Sequence, residues 1–127
     1  MTQNFTKEEF DCTDGSEMPN GIYHNMVKVA SQLQVLRKVL KKPIHVNSGW
    51  RSEEYNAKIG GVKTSQHLVG KAADIAVKGM QPLEVYNAIE NLIDNGDMLQ
   101  GGLGLYDTFV HYDIRGKRAR WDYQKKL

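Results

Sequence analysis

The stretch that most constrains this chain is Ala72-Ala73-Asp74-Ile75-Ala76-Val77, a strand-like run of small apolar residues with one carboxylate in its middle. The run is apolar enough to be buried on both faces. An ionised carboxylate there is costly unless something compensates its charge. Any fold must therefore bring a cation to Asp74, either a salt bridge from Arg or Lys or a metal ion. His67 lies seven residues before Asp74, in Ser65-Gln66-His67-Leu68-Val69-Gly70. A second histidine, His111, sits in the short apolar run Phe109-Val110-His111-Tyr112-Asp113. Two imidazoles and one carboxylate are a sufficient ligand set for one catalytic zinc ion, with three protein ligands and one position left for water. Water held in that way is a nucleophile near neutral pH.

His111 and Asp113 are two apart in a predicted strand, so they share a face, which must be polar or lined by a cation. His45 has no ligand-like neighbours and reads as an ordinary strand residue. Cys12 is the only cysteine, which excludes an intrachain disulfide. It reads as a buried, inert thiol, with a fourth metal ligand as the alternative.

The rest of the chain supplies a scaffold. Ile22, Met26, Val29, Leu33, Leu36 and Leu40 are spaced 4, 3, 4, 3 and 4. That is one apolar stripe on a helical period, from about Gly21 to Lys41, stopped by Pro43. Ile44 to Ser48 reads as a strand ended by Gly49. Ser52 is set to cap a short helix with Glu53 and Glu54 in its first turn, closed by Gly60-Gly61. Val62 to Gly70 reads as loop and Ala72 to Val77 as a second strand. Pro82 opens a helix whose inner stripe is expected at Leu83, Tyr86, Ile89 and Ile93, with Asn95-Gly96 as its stop. Gly101 to Tyr106 and Phe109 to Ile114 form a predicted hairpin turning at Asp107-Thr108. Trp121 and Tyr123 are expected to close one edge of the core. Residues 1–19 read as an irregular leader pinned by Phe5 and Phe10, and 117–127 as a basic tail. The expectation is one α+β domain over 1–127, a small antiparallel sheet packed against helices.

A formal net charge of +2 does not point to nucleic acid. Lys117, Arg118, Arg120, Lys125 and Lys126 crowd the C-terminal end, as a solvated tail or as an attraction for an anionic polymer such as a cell wall. No apolar run marks residues 1–15 as a secretory signal, and no stretch is apolar enough to insert in a membrane. No exposed apolar helix face demands a partner, so a monomer is expected.

The pattern Ser65-x-His67-x-x-Gly70-x-Ala72-x-Asp74 resembles the first zinc motif of the M15 family of peptidoglycan peptidases, the zinc D-Ala-D-Ala carboxypeptidases and murein endopeptidases. Ser48-Gly49-Trp50-Arg51-Ser52, with Asn56 and Gly60-Gly61, is similar to the segment that precedes that motif. Gly102-Leu103-Gly104-Leu105-Tyr106 with Phe109-Val110-His111-Tyr112-Asp113 resembles the third-ligand segment of the short, phage-associated branch. So does the opening from Asn4-Phe5-Thr6 to Asp14-Gly15. The resemblance runs from about residue 4 to residue 121.

It implies the hedgehog/DD-peptidase fold and one zinc ion on His67, Asp74 and His111. Arg51 would hold a substrate carboxylate or a developing oxyanion, and Ser65 would orient a ligand or a substrate group. Residue-level alternatives are an ion pair of Arg51 with Glu53 or Glu54 and a turn hydrogen bond at Ser65. Where some branches have a glutamate three residues before the last histidine, this chain has Thr108. Where others have a histidine two residues before it, this chain has Phe109. Asp113 is then favoured as general base or as a group orienting a ligand, with Asp107 the other candidate for the base. An ion pair of Asp113 with Arg115 or Arg118 is its structural alternative. The implied activity is zinc-dependent hydrolysis of peptidoglycan stem peptides or crosslinks by a phage or prophage cell-wall-lysing enzyme. It would be made in the cytoplasm and would act in the periplasm or cell wall after release. Two further readings are a noncatalytic zinc-containing peptidoglycan-binding module and a phage structural component.

Overall fold

The computed structural model describes residues 1–125. Helix α1 spans Asn20–Leu40 and buries Met26, Val29, Leu33 and Leu36 of the expected stripe together with Ala30, while Ile22 and Leu40 at its ends are partly buried. Its last carbonyls are closed by Lys41 in the left-handed region, φ 56°, with the Lys41 amide donating to the Arg37 carbonyl at 3.0 Å. A lysine there carries a Cβ penalty that glycine lacks. Lys41→Gly is therefore expected to stabilise the protein by about 1 kcal/mol, seen as a higher urea midpoint with an unchanged slope.

Strand β1 (Ile44–Ser48) follows, then α2 (Glu53–Lys58), capped by the Ser52 hydroxyl accepting from the Tyr55 amide at 3.1 Å. A 3-10 turn over Gln66–Val69 leads into β2 (Ala72–Val77). Helix α3 (Pro82–Asp94) then leads to β3 (Gly102–Leu105), β4 (Val110–Asp113) and β5 (Ala119–Asp122). Helix α3 buries Val85, Ile89, Leu92 and Ile93, whereas Leu83 is 49% exposed. Ile89 and Ile93 are buried as expected and Tyr86 is partly buried against the core, while Leu83, in the first turn, is not, and Val85 and Leu92 widen the buried face.

The strand order is β1-β2-β4-β3-β5. The first four strands pair antiparallel, but β5 runs parallel to β3, so the α+β expectation holds with a mixed sheet. Residues 119–122, expected within the basic tail, are this fifth strand. There Arg120 is clamped to Glu90 of α3 at 2.7 Å. Lys126 of that tail lies outside the described residues. The leader is irregular apart from a 3-10 turn over Lys7–Phe10, and Phe5 and Phe10 are fully in the core. No helix among the described residues is long and apolar enough to cross a membrane.

Alternation along the strands divides the sheet into two faces. Val46, Ala73, Ile75, Leu103, Leu105, Val110 and Tyr112 join the helices in one core. Asp74, His111 and Asp113, one residue out of phase with these, stand on the opposite face. Their register fixes who meets whom: Asp74 lies opposite His111, and His111 opposite Gly104. On the far side of β3, Gly104 lies opposite Trp121.

Candidate metal centre

Four pieces of chain converge on the face away from the helices. The Ser65 hydroxyl accepts the His67 amide at 3.2 Å and caps the 3-10 turn that presents His67. The turn closes at Gly70 in the left-handed region, φ 72°, where a Cβ would also press on Ile22 of α1. The spacing His67-x-x-Gly70 is thus a local device: one turn, one left-handed glycine, then entry into β2. Ser65 does the turn work foreseen as its alternative role. A β-bulge between Val46 and Ser48 brings Ser48 opposite Asp74 and feeds the chain into Gly49 and Arg51.

His67 Nδ1 lies 2.6 Å from the Gly49 carbonyl oxygen. That acceptor requires a proton on Nδ1 and leaves the Nε2 lone pair facing Asp74 Oδ1, 3.2 Å away. His111 is turned the other way. Its Nε2 lies 2.7 Å from Asp113 Oδ2, which draws the proton there and leaves Nδ1 facing the same Asp74 oxygen at 3.0 Å. Two lone pairs then converge on an anionic oxygen, an arrangement that needs a cation between them. In a metal-free molecule the proton favoured on His111 serves in its place. With bonds of about 2.0–2.1 Å, the donor atoms of a tetrahedral zinc site stand roughly 3.3 Å apart, close to the spacings found. The three ligand atoms lie within 4.8 Å of one another and all three residues are buried. The donor set therefore fits a zinc ion, and His67, Asp74 and His111 come together as expected.

The second carboxylate has a different place. Asp113 is fully buried, and its oxygens accept from His111 Nε2, the Gly102 amide and the Arg115 guanidinium at 2.7 to 2.9 Å. It stands behind the imidazole, on the side opposite the ligand nitrogen. That place suits the orienting role expected of Asp113 as the alternative to general base, a group that fixes ring and tautomer, and the foreseen ion pair with Arg115 is also made. Gly102 is required beside it, because a Cβ there would run into the Asp113 carboxylate. Asp107 is no substitute: it is exposed, accepts the Lys125 amide at 2.9 Å, and does not line the cavity.

Arg51 meets neither Glu53 nor Glu54. Nη2 donates to Asp74 Oδ2 at 3.1 Å, Nε to Ser48 Oγ at 3.1 Å, and Nη1 reaches Asn56 Oδ1 at 3.5 Å. With the fork spent on the protein, Arg51 serves first to hold Asp74 so that Oδ1 is the oxygen offered to the histidines. Both compensations considered for Asp74, a guanidinium and a metal-binding pair of imidazoles, are present together. Cys12 is buried and is not among the converging ligand atoms.

The charges follow from these contacts. Burial would raise the Asp74 pKa, but hydrogen bonds from His111 and His67 outweigh it and hold the carboxyl well below the usual range. Asp113 is lowered in the same way, against its burial, by His111 and Arg115. Burial would lower the His111 pKa, yet Asp113 and Asp74 raise it. The carboxylates therefore lose their contribution to stability only in acid, below the ordinary carboxylate range. The His111 proton stabilises the metal-free protein below about pH 6.5, and that contribution fades as pH rises through the raised folded pKa. A metal must displace that proton. Zinc affinity is accordingly expected to rise about tenfold per pH unit while His111 stays protonated in the metal-free protein. A chelator-competition titration between about pH 6 and 8 measures it, and a flat profile would mean a neutral His111.

The ligands open on a cavity of about 470 Å³. One wall is aromatic. Tyr106 stacks on Phe109 at 4.3 Å, Trp121 lies 5.1 Å from the His111 ring, and the Trp121 indole N–H donates to the Tyr106 hydroxyl at 3.0 Å. Trp121 and Tyr123, expected at a core edge, line this cavity instead, and Tyr123 is 67% exposed. Gly104 makes the room, since a Cβ there would overlap the Trp121 indole. Gly60, Gly61, Val62 and Thr64 also line the cavity.

An α+β sheet carrying a His-Asp-His centre, open on one side and braced by a carboxylate behind one histidine, has the three-ligand, open-position layout of a catalytic zinc site. Sequence comparison gives the class its family: the profile described as Peptidase M15 matches residues 3–113, and the chain belongs to that family. Over 45 residues it is also 44% identical to the zinc D-Ala-D-Ala carboxypeptidase of Streptomyces albus G. That stretch is 35% of this chain and 18% of that relative.

Proposed function

We propose that the protein is a zinc peptidase that hydrolyses peptide bonds in the stem peptides or crosslinks of bacterial peptidoglycan. The observation that carries this reading is the convergence of His67 Nε2, His111 Nδ1 and Asp74 Oδ1 at the floor of an open cavity. The name of the Streptomyces relative supplies the substrate class. When bound, zinc supplies Lewis acidity that polarises a carbonyl and acidifies water. The chain's own residues do the rest. Gly49 and Asp113 keep the two imidazoles in the tautomers that can bind metal, and Arg51 keeps Asp74 in register. Phe109, Tyr106 and Trp121 exclude water from one side of the reacting groups.

The segments similar to the phage-associated branch support a cell-wall-lysing role after release from the cytoplasm. Action as a carboxypeptidase or as an endopeptidase fits the cavity equally. A second reading is a module that holds zinc and binds peptidoglycan without cleaving it. It is favoured by one observation: among the described residues, the cavity lining holds no carboxylate or imidazole beyond the three ligands.

The test is incubation of the zinc-loaded protein with purified peptidoglycan, with His67→Ala as control and the products identified by mass. New D-alanine termini or opened crosslinks, absent with the variant, establish the peptidase and name its bond. Tight zinc binding with no product establishes the second reading.

A further inference from the structure

Two arginines line the cavity, and they are used differently. Arg51 is 15% exposed at its side chain and has all three guanidinium nitrogens engaged by Ser48, Asn56 and Asp74. Arg115 is 32% exposed and commits only one edge. Its Nε donates to Asp113 at 2.9 and 3.1 Å and its Nη2 to Asp113 Oδ2 at 2.8 Å, while Nη1 meets no acceptor among the described residues. The guanidinium carbon lies 5.5 Å from the centroid of the Trp121 ring, which supports its plane by a cation–π contact. Arg115 continues the alternation His111, Asp113, Arg115, so it stands on the metal-binding face just beyond β4.

The charges around the site point to an anion. Arg51 and Arg115 balance Asp74 and Asp113, so a divalent ion on the ligands leaves an uncompensated positive field in the open cavity. A guanidinium held flat, with a free edge beside that ion, is suited to a planar carboxylate.

We infer that Arg115 is the specificity-determining residue of the cavity and takes a free carboxylate on the residue that departs with the amine. This deepens the peptidase reading and rests on it. A carboxylate next to the leaving amine is common to a C-terminal amino acid and to the far side of a crosslink made through a diamino dicarboxylic acid, which carries a carboxylate beside each amine. One residue could therefore serve both kinds of bond.

The experiment compares kcat/KM of the zinc-loaded protein for N-acylated D-alanyl-D-alanine and for its C-terminal amide, in the wild type, Arg115→Gln and Arg115→Lys. The carboxylate-to-amide ratio is internal to each variant, so a change in metal loading or in the seating of His111 cancels. The wild type is expected to prefer the carboxylate by about 10- to 100-fold, the worth of a charged hydrogen bond. Arg115→Gln is expected to bring the ratio to within about threefold of unity, and Arg115→Lys to restore part of it. A preference that survives in Arg115→Gln would overturn this inference alone and pass the role to another group, Arg51 first. No hydrolysis of either peptide, nor of peptidoglycan, by the wild type would overturn the peptidase reading and this inference with it.

Discussion

Replacing Asp74 with alanine is expected to abolish hydrolysis, at least about a thousandfold, since the several kcal/mol supplied by a Lewis-acid metal are lost with it. The more telling result concerns the metal-free protein. There Asp74 is the common partner of His67, His111 and the half-buried Arg51. Its removal leaves a guanidinium facing protonated His111 with no anion between them. Breaking a buried ion pair from one side costs on the order of 3 kcal/mol. Asp74→Ala should therefore lower the urea midpoint of the chelator-treated protein by an amount readily seen. A carboxylate compensated by metal alone would behave in the opposite way. Without the ion it would be a buried charge in need of relief, and its deletion would stabilise the stripped protein. Unfolding curves with and without chelator separate the two cases.

Asp113→Asn should separate metal affinity from chemistry. Because Asp113 stands behind His111, its charge acts on the ligand and not on the substrate. The amide is expected to weaken zinc binding about 10- to 100-fold, the usual scale for an outer partner of a ligating histidine. Once zinc is saturating, kcat should recover to within about tenfold of the wild type. A general base would give the reverse pattern, with kcat falling by about 10²- to 10⁴-fold and zinc affinity unchanged. A zinc titration followed by activity at saturating zinc measures both quantities in one preparation.

What the sequence could tell divides along physical lines. The stripe of α1 was legible because it is long and its period is regular. The strand β2 was legible because a carboxylate among alanines, isoleucine and valine admits few explanations. The three ligands were legible for a related reason: their types and spacing define a chemistry before any geometry is known. The direction of β5 was not legible. Parallel pairing with β3 depends on a long-range choice that the local pattern around Arg120 does not encode, and its basic residues disguised an ordered strand as a tail. The α3 stripe was legible at Ile89 and Ile93 but not at Leu83, which is apolar yet exposed in the first turn, nor at Val85 and Leu92, which are buried beside the expected line. At Asp113 the sequence left two roles open, base or orienting group. Alternation correctly put it on the face of His111, but a shared face does not say whether a group stands before or behind a ring. The bond from Nε2 decides that, and it exists only in three dimensions. Arg115 carried the one available signal, continuing the same alternation by a further step.

The register of β4 between β2 and β3 reaches beyond the site it builds. Along this strand the side chains alternate between core and cavity, so a slip of one residue would turn His111 and Asp113 into the hydrocarbon interior and push Val110 and Tyr112 out into water. Such a molecule would lose its core and its centre in the same event. Inactive but well-folded copies, the usual by-product of a loosely specified strand, are thereby denied a stable state. For this chain, folding proofreads the active site: a molecule that passes the test of stability has already aligned its ligands.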